Sequence, residues 1–167
     1  PYQYIIDLLR EASIDPKVRA IKMTLYRLAN PSKVVNALVN ASANGTQVTV
    51  FMAFQARFDE SNHIYYSSKL QEAGVRIIKT IPGFKVHCKM ILIKRIEGDK
   101  EKLYANISTG NFNEATSRIY SDNTLLTCDP RITSDVEKVF ELFERSYKPM
   151  RFQHLVISPF STRNFFL

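Results

Sequence analysis

Apolar positions along this chain alternate between helical and strand-like spacing. Between Tyr2 and Ala12, Ile5, Ile6, Leu8 and Leu9 gather on one broad face, which predicts a helix that Asp15-Pro16 breaks. Val18–Tyr26 reads as a strand that runs into Tyr26-Arg27. Ser32 is placed to cap a helix over Val34–Ala43, and Asn44-Gly45 stops it. The cycle then repeats. Gln47–Phe54 has the β-branched and aromatic density of a buried strand, Gln55–Asn62 a loop, His63–Ala73 a helix closed by Gly74, and Val75–Ile78 a short strand. Strand, helix, strand at this spacing predicts βαβ units in a largely parallel sheet.

Beyond Pro82-Gly83 the texture changes. Lys85–Ile96 alternates and then turns fully apolar, Glu97–Lys102 is a charged turn, and Leu103–Ser108 is a second strand, the pattern of a hairpin. A strand over Asn123–Cys128 and a helix from about Thr133 to Arg145 follow. The tail from Tyr147 has no clear period and resembles a linker.

At 167 residues and 45% hydrophobic, the chain has one domain's length and enough apolar material for a core. Its longest apolar stretches, Val48–Phe54 and Met90–Ile93, are too short to cross a bilayer. It opens with Pro1 rather than Met and reads as a piece of something longer. The 23 Lys and Arg exceed the 16 Asp and Glu, a formal charge of +7 that favours anionic partners: nucleic acid, acidic lipid or condensed phosphate. Charge alone does not choose among them, or against a plain basic surface. Cys88 and Cys128 stand far apart and outside any CxxC pattern, which points away from a disulfide framework or a zinc site and towards a reducing, cytoplasmic setting.

Three segments carry candidate chemistry. In Lys85-Val86-His87-Cys88-Lys89, a strand would turn His87 and Lys89 to one face. A histidine beside such a cation can accept a phosphoryl group, because the cation stabilises charge on the phosphate oxygens. An ordinary surface strand holding a histidine shows the same local pattern. Ser108-Thr109-Gly110-Asn111-Phe112-Asn113 follows the second hairpin strand and could offer amides to an anion, or could be a polar turn before a helix cap. Arg27 and Arg57 each follow a strand-like run, where an α/β sheet presents its ligand site and where guanidinium forks suit phosphate.

Together the three segments resemble the His-Lys-Asp motif of the phospholipase D superfamily. His87 and Lys89 match its first two members, and Ser108, Thr109 and Asn111 match its later Gly-Ser-x-Asn element. Lys94 stands where the aspartate is expected, and Ser108 where the glycine is. A branch of the superfamily lacks that aspartate. Thr24-Leu25-Tyr26-Arg27, Gln55-Ala56-Arg57-Phe58-Asp59-Glu60, Gly83-Phe84-Lys85-Val86-His87 and Thr109-Gly110-Asn111-Phe112-Asn113-Glu114 resemble successive signatures of that branch, the bacterial polyphosphate kinases. The resemblance runs from Asp15-Pro16 to Ser158-Pro159.

It implies an α/β, phospholipase-D-like domain over residues 1–150, the first of two catalytic domains, with a mixed, largely parallel sheet and helices on both faces. Residues 151–167 would be a linker towards the second domain. The implied reaction is reversible transfer of the terminal phosphate of ATP to polyphosphate through a phosphohistidine at His87, with Mg2+, and with ADP as the other product. Lys89 would offset phosphate charge, and Arg27 and Arg57 would line the magnesium–phosphate site as phosphate clamps, not as metal ligands. Tyr120, Asn111 and Thr109 would contact the nucleotide. The other histidines, His63 and His154, lack a lysine two residues on and read as capping or surface residues, so a second catalytic histidine is expected from other domains. The chain alone is therefore expected to fold but turn over poorly. The parent would be a homo-oligomer, cytoplasmic or membrane-associated, without a specific nucleic-acid partner. Tyr2, Tyr4, Phe140 and Phe143 fall at helical spacing and read as core, and Cys88 as packing. A phosphodiesterase of the same superfamily and a non-catalytic polyanion-binding module remain the alternatives.

Overall fold

The computed structural model describes residues 2–52, 60–79, 86–145 and 150–167. Six strands and five helices follow in the order α1 (Gln3–Ile14), β1 (Val18–Leu25), α2 (Lys33–Ala43), β2 (Gln47–Met52), α3 (Glu60–Glu72), β3 (Arg76–Lys79), β4 (Lys89–Glu97), β5 (Lys100–Ser108), β6 (Thr124–Thr127), α4 (Pro130–Glu144) and α5 (Thr162–Phe166). The strands form one sheet in the order β3-β2-β1-β4-β5-β6. Parallel ladders join β1, β2 and β3, as expected of the βαβ half. Antiparallel ladders join β1 to β4, β4 to β5 and β5 to β6. The sheet is thus mixed, with β1, β2, β3 and β5 running one way and β4 and β6 the other.

Helices cover both faces. On one, Ile6 and Leu9 of α1, Val34, Val35 and Leu38 of α2 and Leu70 of α3 close over Ile21, Met23, Val50, Ile91 and Ile93. On the other, Val136, Val139 and Phe140 of α4 close over Phe51, Met90 and Leu92. Alternate residues of β4 therefore enter opposite cores, which explains why its apolar run is continuous where a half-exposed strand would alternate. Phe140 and Phe143 lie in the second core as expected. Tyr2 packs on the first core, but Tyr4 is 63% exposed, so helical spacing misplaces it.

Helix boundaries follow local chemistry. The Ser32 side chain accepts the Val35 N–H and caps α2. Asp129 caps α4, accepting the Arg131 N–H at 2.9 Å with Pro130 in the first turn, so this helix starts three residues before Thr133. The hairpin is tighter than its charges suggest. Glu97 pairs with Lys100 across a turn of two residues in which Gly98 takes φ +61°, a left-handed conformation. Charges expected in a loop instead pair along and across the strands, with Glu97 3.0 Å from Arg95 of its own strand and 3.3 Å from Lys102 of β5. Lys94 pairs with Glu101 at 2.8 Å and with Glu137 of α4 at 3.1 Å, joining the hairpin to the helix.

The tail expected to be a linker packs on the body of the domain over part of its length. Phe152, Leu155 and Ile157 lie against the second core. The Asp135 carboxylate, 1% exposed, accepts the backbone N–H groups of Gln153, His154 and Leu155 at 2.7–3.1 Å and the Lys138 ammonium at 2.9 Å. Among the described residues, no helix is long and apolar enough to cross a membrane.

Burial alone would push the Asp135 pKa up, but the N–H of His154, the Lys138 ammonium and the N–H groups of Leu155 and Gln153 outweigh it and hold the carboxyl at about 2. A folded pKa below the unfolded one adds stability that is present above the unfolded value and lost as pH falls through the folded one. Roughly 2 kcal/mol should therefore disappear between about pH 4 and pH 2. Asp135→Ala strands buried N–H donors and should cost about 3 kcal/mol in urea unfolding, with most of that low-pH slope removed.

Candidate active site

β4 enters the sheet against β1 in the opposite direction, with Ile91 beside Met23. Its first residue, Lys89, therefore lies beside the last residues of β1 and directly across from Ser108, the last residue of β5. One end of the sheet thus collects Tyr26-Arg27, His87–Lys89 and the segment after Ser108. Thr24 secures the junction. Its hydroxyl accepts the Met90 N–H at 2.9 Å and donates to the Cys88 carbonyl at 2.9 Å. β4 begins at Lys89, so His87 stands just ahead of the strand and not within it as expected.

His87 is exposed, whereas Lys89 beneath it is 5% exposed. The Lys89 Nζ lies 3.1 Å from His87 Nε2 and 3.2 Å from Nδ1, and donates to the His87 carbonyl oxygen at 2.6 Å. The ammonium thus lies close to both ring nitrogens while its donor bond goes to the His87 carbonyl oxygen. Tyr26 forms a wall, its ring edge-on to His87 with centroids 5.2 Å apart and 5.3 Å from the Lys89 Nζ. A buried ammonium is costly without partners, and here a carbonyl, an imidazole and an aromatic ring offset that cost. A nucleophile exposed to solvent over a desolvated cation suits attack on an anionic centre. Cys88 packs on the second core, where burial pushes its thiol up to about 11 and keeps it protonated.

The segment after β5 is tightly self-bonded. Thr109 Oγ1 donates to Asp122 Oδ1 at 3.0 Å and accepts the Asn123 N–H at 3.0 Å. The Asp122 carboxylate lies across Gly110, where an added Cβ would meet Oδ2 at 2.2 Å. Asn113 Oδ1 accepts the N–H groups of Ala115 and Thr116 and starts the short helical turn Thr116–Arg118. Between this segment and α1 opens a cavity of about 360 Å³, lined among others by Tyr2, Tyr4, Asn111, Tyr120 and Asp122, with Ser108 on the side of Lys89.

Of the candidates, His87 and Lys89 come together, and Asn111 and Tyr120 share the cavity, Tyr120 67% exposed. Thr109 is turned to Asp122, and neither it nor His87 lines the cavity. Arg27 is exposed at the end of β1, and Arg57 lies outside the described residues. His154 belongs to the tail bonded to Asp135. Lys94 is engaged far along β4, not at this end of the sheet. His63 is not a surface or capping residue: it is 1% exposed on α3, with Nε2 3.1 Å from the Tyr26 carbonyl oxygen. Asn106, 1% exposed on β5, has no partner for either amide atom among the described residues, and neither does Asn111 Oδ1. Nothing in the local sequence marks Asn106, whereas Tyr26 stands next to an arginine already singled out. Among the described residues no three His, Cys, Asp or Glu side chains gather as a metal site.

A family model described as polyphosphate kinase C-terminal domain 1 matches residues 1–149. Polyphosphate kinase of Salmonella typhimurium is 47% identical over 162 residues, 97% of this chain and 24% of that protein. The chain thus spans about a quarter of the length of the curated relatives it matches. Among solved structures, polyphosphate kinase from Porphyromonas gingivalis superposes with a TM-score of 0.80 at 42% identity, over 92% of this chain and 26% of that one. The phospholipase D family member Nuc from Salmonella typhimurium shares the fold, with a TM-score of 0.66 at 17% identity over 87% of this chain and 90% of its own.

The Thr24 junction is directly testable. Thr24→Val removes both of its hydrogen bonds at the start of β4 while keeping the side-chain volume. Stability should fall by about 1–2 kcal/mol, and amide exchange at Met90 should speed up more than at Ile93. Equal protection at both positions in variant and parent would remove Thr24 from this role.

Proposed function

The chain belongs to the polyphosphate kinase family as its C-terminal domain 1, and we propose that it supplies the phosphoryl-accepting site of an ATP:polyphosphate phosphotransferase. The observation that carries this reading is an exposed His87 imidazole poised 3.1 Å from the buried Lys89 ammonium. In a neutral imidazole one nitrogen holds a lone pair. That nitrogen attacks the terminal phosphorus of ATP. The bond from phosphorus to the bridging oxygen breaks, and ADP leaves with the electron pair. The other ring nitrogen keeps its proton, so the intermediate forms as a cationic N-phosphoimidazolium that readily passes its phosphoryl on. An oxygen at the end of polyphosphate then attacks, and the phosphorus–nitrogen electrons return to the ring.

The domain's residues contribute chiefly charge and position. Lys89, held by the His87 carbonyl oxygen, offers its ammonium to a phosphoryl oxygen as charge builds there. Arg27 and Arg57 clamp neighbouring phosphates as guanidinium forks. The cavity of about 360 Å³ has ligand-pocket dimensions. Its Asp122 carboxylate repels phosphate and accepts hydrogen bonds, so it suits the nucleoside half, with Tyr120 stacking on the base. Thr109 acts through Asp122, holding it over Gly110. Mg2+ would neutralise charge as a passenger on the nucleotide's phosphates; the described residues offer it no ligand set, and no step here depends on it.

The relatives' fourfold greater length supports a longer polypeptide in which a following domain, beyond residues 151–167, brings the second histidine. We read the whole enzyme, by resemblance, as a homo-oligomer in the cytoplasm or at the membrane.

With terminally labelled ATP and Mg2+, the full-length polypeptide should take up label that is acid-labile and base-stable. His87→Ala should abolish it, and Lys89→Met should slow it at least ~100-fold. A full-length protein that takes up no such label in rapid-quench trials, yet binds polyphosphate in a salt-sensitive way, would be a binding module. Robust hydrolysis of a generic phosphodiester, lost in His87→Ala, would make it a phosphodiesterase.

A further inference from the structure

We propose that Tyr26 positions the His87 imidazole for attack, and that the buried His63 on α3 fixes Tyr26 by donating from Nε2 to its carbonyl oxygen. This rests on His87 being the phosphoryl acceptor. Tyr26 is the first residue past β1, beyond the ladder to β2, which ends at Leu25. The chain from Tyr26 to Ser32 must therefore be held by other contacts, and α3 provides them. His63 Nε2 lies 3.1 Å from the Tyr26 carbonyl oxygen. The Tyr66 hydroxyl accepts the Ser32 N–H at 3.1 Å and donates to Asn30 Oδ1 at 3.3 Å. Asn62 Oδ1 accepts from Asn30 Nδ2 at 3.4 Å. Asn62, His63 and Tyr66 fall on one side of a helix, so a single face of α3 bonds this connection at Tyr26, Asn30 and Ser32.

A carbonyl oxygen only accepts, so the contact places a proton on His63 Nε2. At 1% exposure that donor cannot turn to water instead, which makes the bond a stiff one. Its effect reaches the site in one step. The Tyr26 ring stands edge-on to His87, with centroids 5.2 Å apart and planes at 79°, while the Lys89 Nζ is 5.3 Å from the Tyr26 centroid. An exposed histidine ahead of a strand has several rotamers open to it, and the Tyr26 wall with the Lys89 ammonium excludes most of them. In-line attack on phosphorus needs one of them.

Three variants of the full-length polypeptide test this: Tyr26→Leu, His63→Leu and His63→Gln, whose amide can donate to the same carbonyl. Single-turnover labelling of His87 at saturating ATP should slow ~30-fold in Tyr26→Leu and ~10-fold in His63→Leu, with His63→Gln recovering most of the latter loss. The KM for ATP should stay within about twofold, since attack and not binding is impaired. The nitrogen-15 imidazole signal of His87 should move in both leucine variants and return in His63→Gln. Labelling within about twofold of the parent in Tyr26→Leu would overturn the proposal. So would equal losses in His63→Leu and His63→Gln that track melting temperature, which mark a purely structural histidine. A parent that never labels sinks the phosphoryl-acceptor reading instead. The His87 signal then still decides the coupling, which fails if neither leucine variant moves it.

Discussion

The end of the sheet that carries the candidate site depends on the antiparallel pairing of β4 with β1. Had β4 joined as another parallel strand, His87 and Lys89 would lie at the opposite end from Arg27. Reversal instead brings the start of one strand to the end of its neighbour, and the hairpin to β5 then returns Ser108 to the same end. Thr24 extends this pairing just past its last matched residues, Met23 and Ile91, because one hydroxyl satisfies the Met90 N–H and the Cys88 carbonyl.

Burial on both faces keeps β4 in register. A slip by one residue would exchange Ile91 and Ile93 with Met90 and Leu92 and bring Lys89 out of its partners' reach. The charged groups reinforce this from outside the apolar layers. Lys94 links β4 to Glu101 and α4, and Lys22 of β1 reaches Glu144 at the far end of α4 at 3.0 Å. These pairs are part-exposed and individually modest, but they join elements distant in sequence. Asp135 does more, since its carboxylate is buried and gathers the tail to the same helix. α4 thereby holds the second face of the sheet, the hairpin and the tail as one unit.

The first face carries the fine positioning. α1 closes the cavity through Tyr2 and Tyr4, α2 is tied to the segment after β5 by the Lys33 N–H on Glu114 at 2.6 Å, and α3 holds the connection after β1. A sheet end with loops from several strands is flexible by default. Here side chains of neighbouring helices bond those loops, so His87 is exposed without being loosely held.

Periodicity located the main elements, though not α5 in the tail, and the amphipathic faces of α1 and α2 and the βαβ rhythm gave an α/β class, because burial of one helix face and of a whole strand writes itself into neighbouring residues. His87 with Lys89 was legible as a candidate because the two are local in the chain, and the family resemblance, not the local pattern, set it above an ordinary surface strand. The hairpin turn was misjudged because Glu97 and Lys100 through Lys102 look like loop charges until their cross-strand partners are known. His63 read as a surface residue because its partner lies in another element, and Tyr4 read as core because helical spacing cannot tell which turn faces a cavity. Asn106 carries no local mark at all. The sequence by itself determined most of the elements, the class of fold and the candidate pair His87 and Lys89. Only the tertiary structure decided the direction of β4, the burial of Lys89 and the bond from α3 to Tyr26, since each depends on contact between residues far apart along the chain.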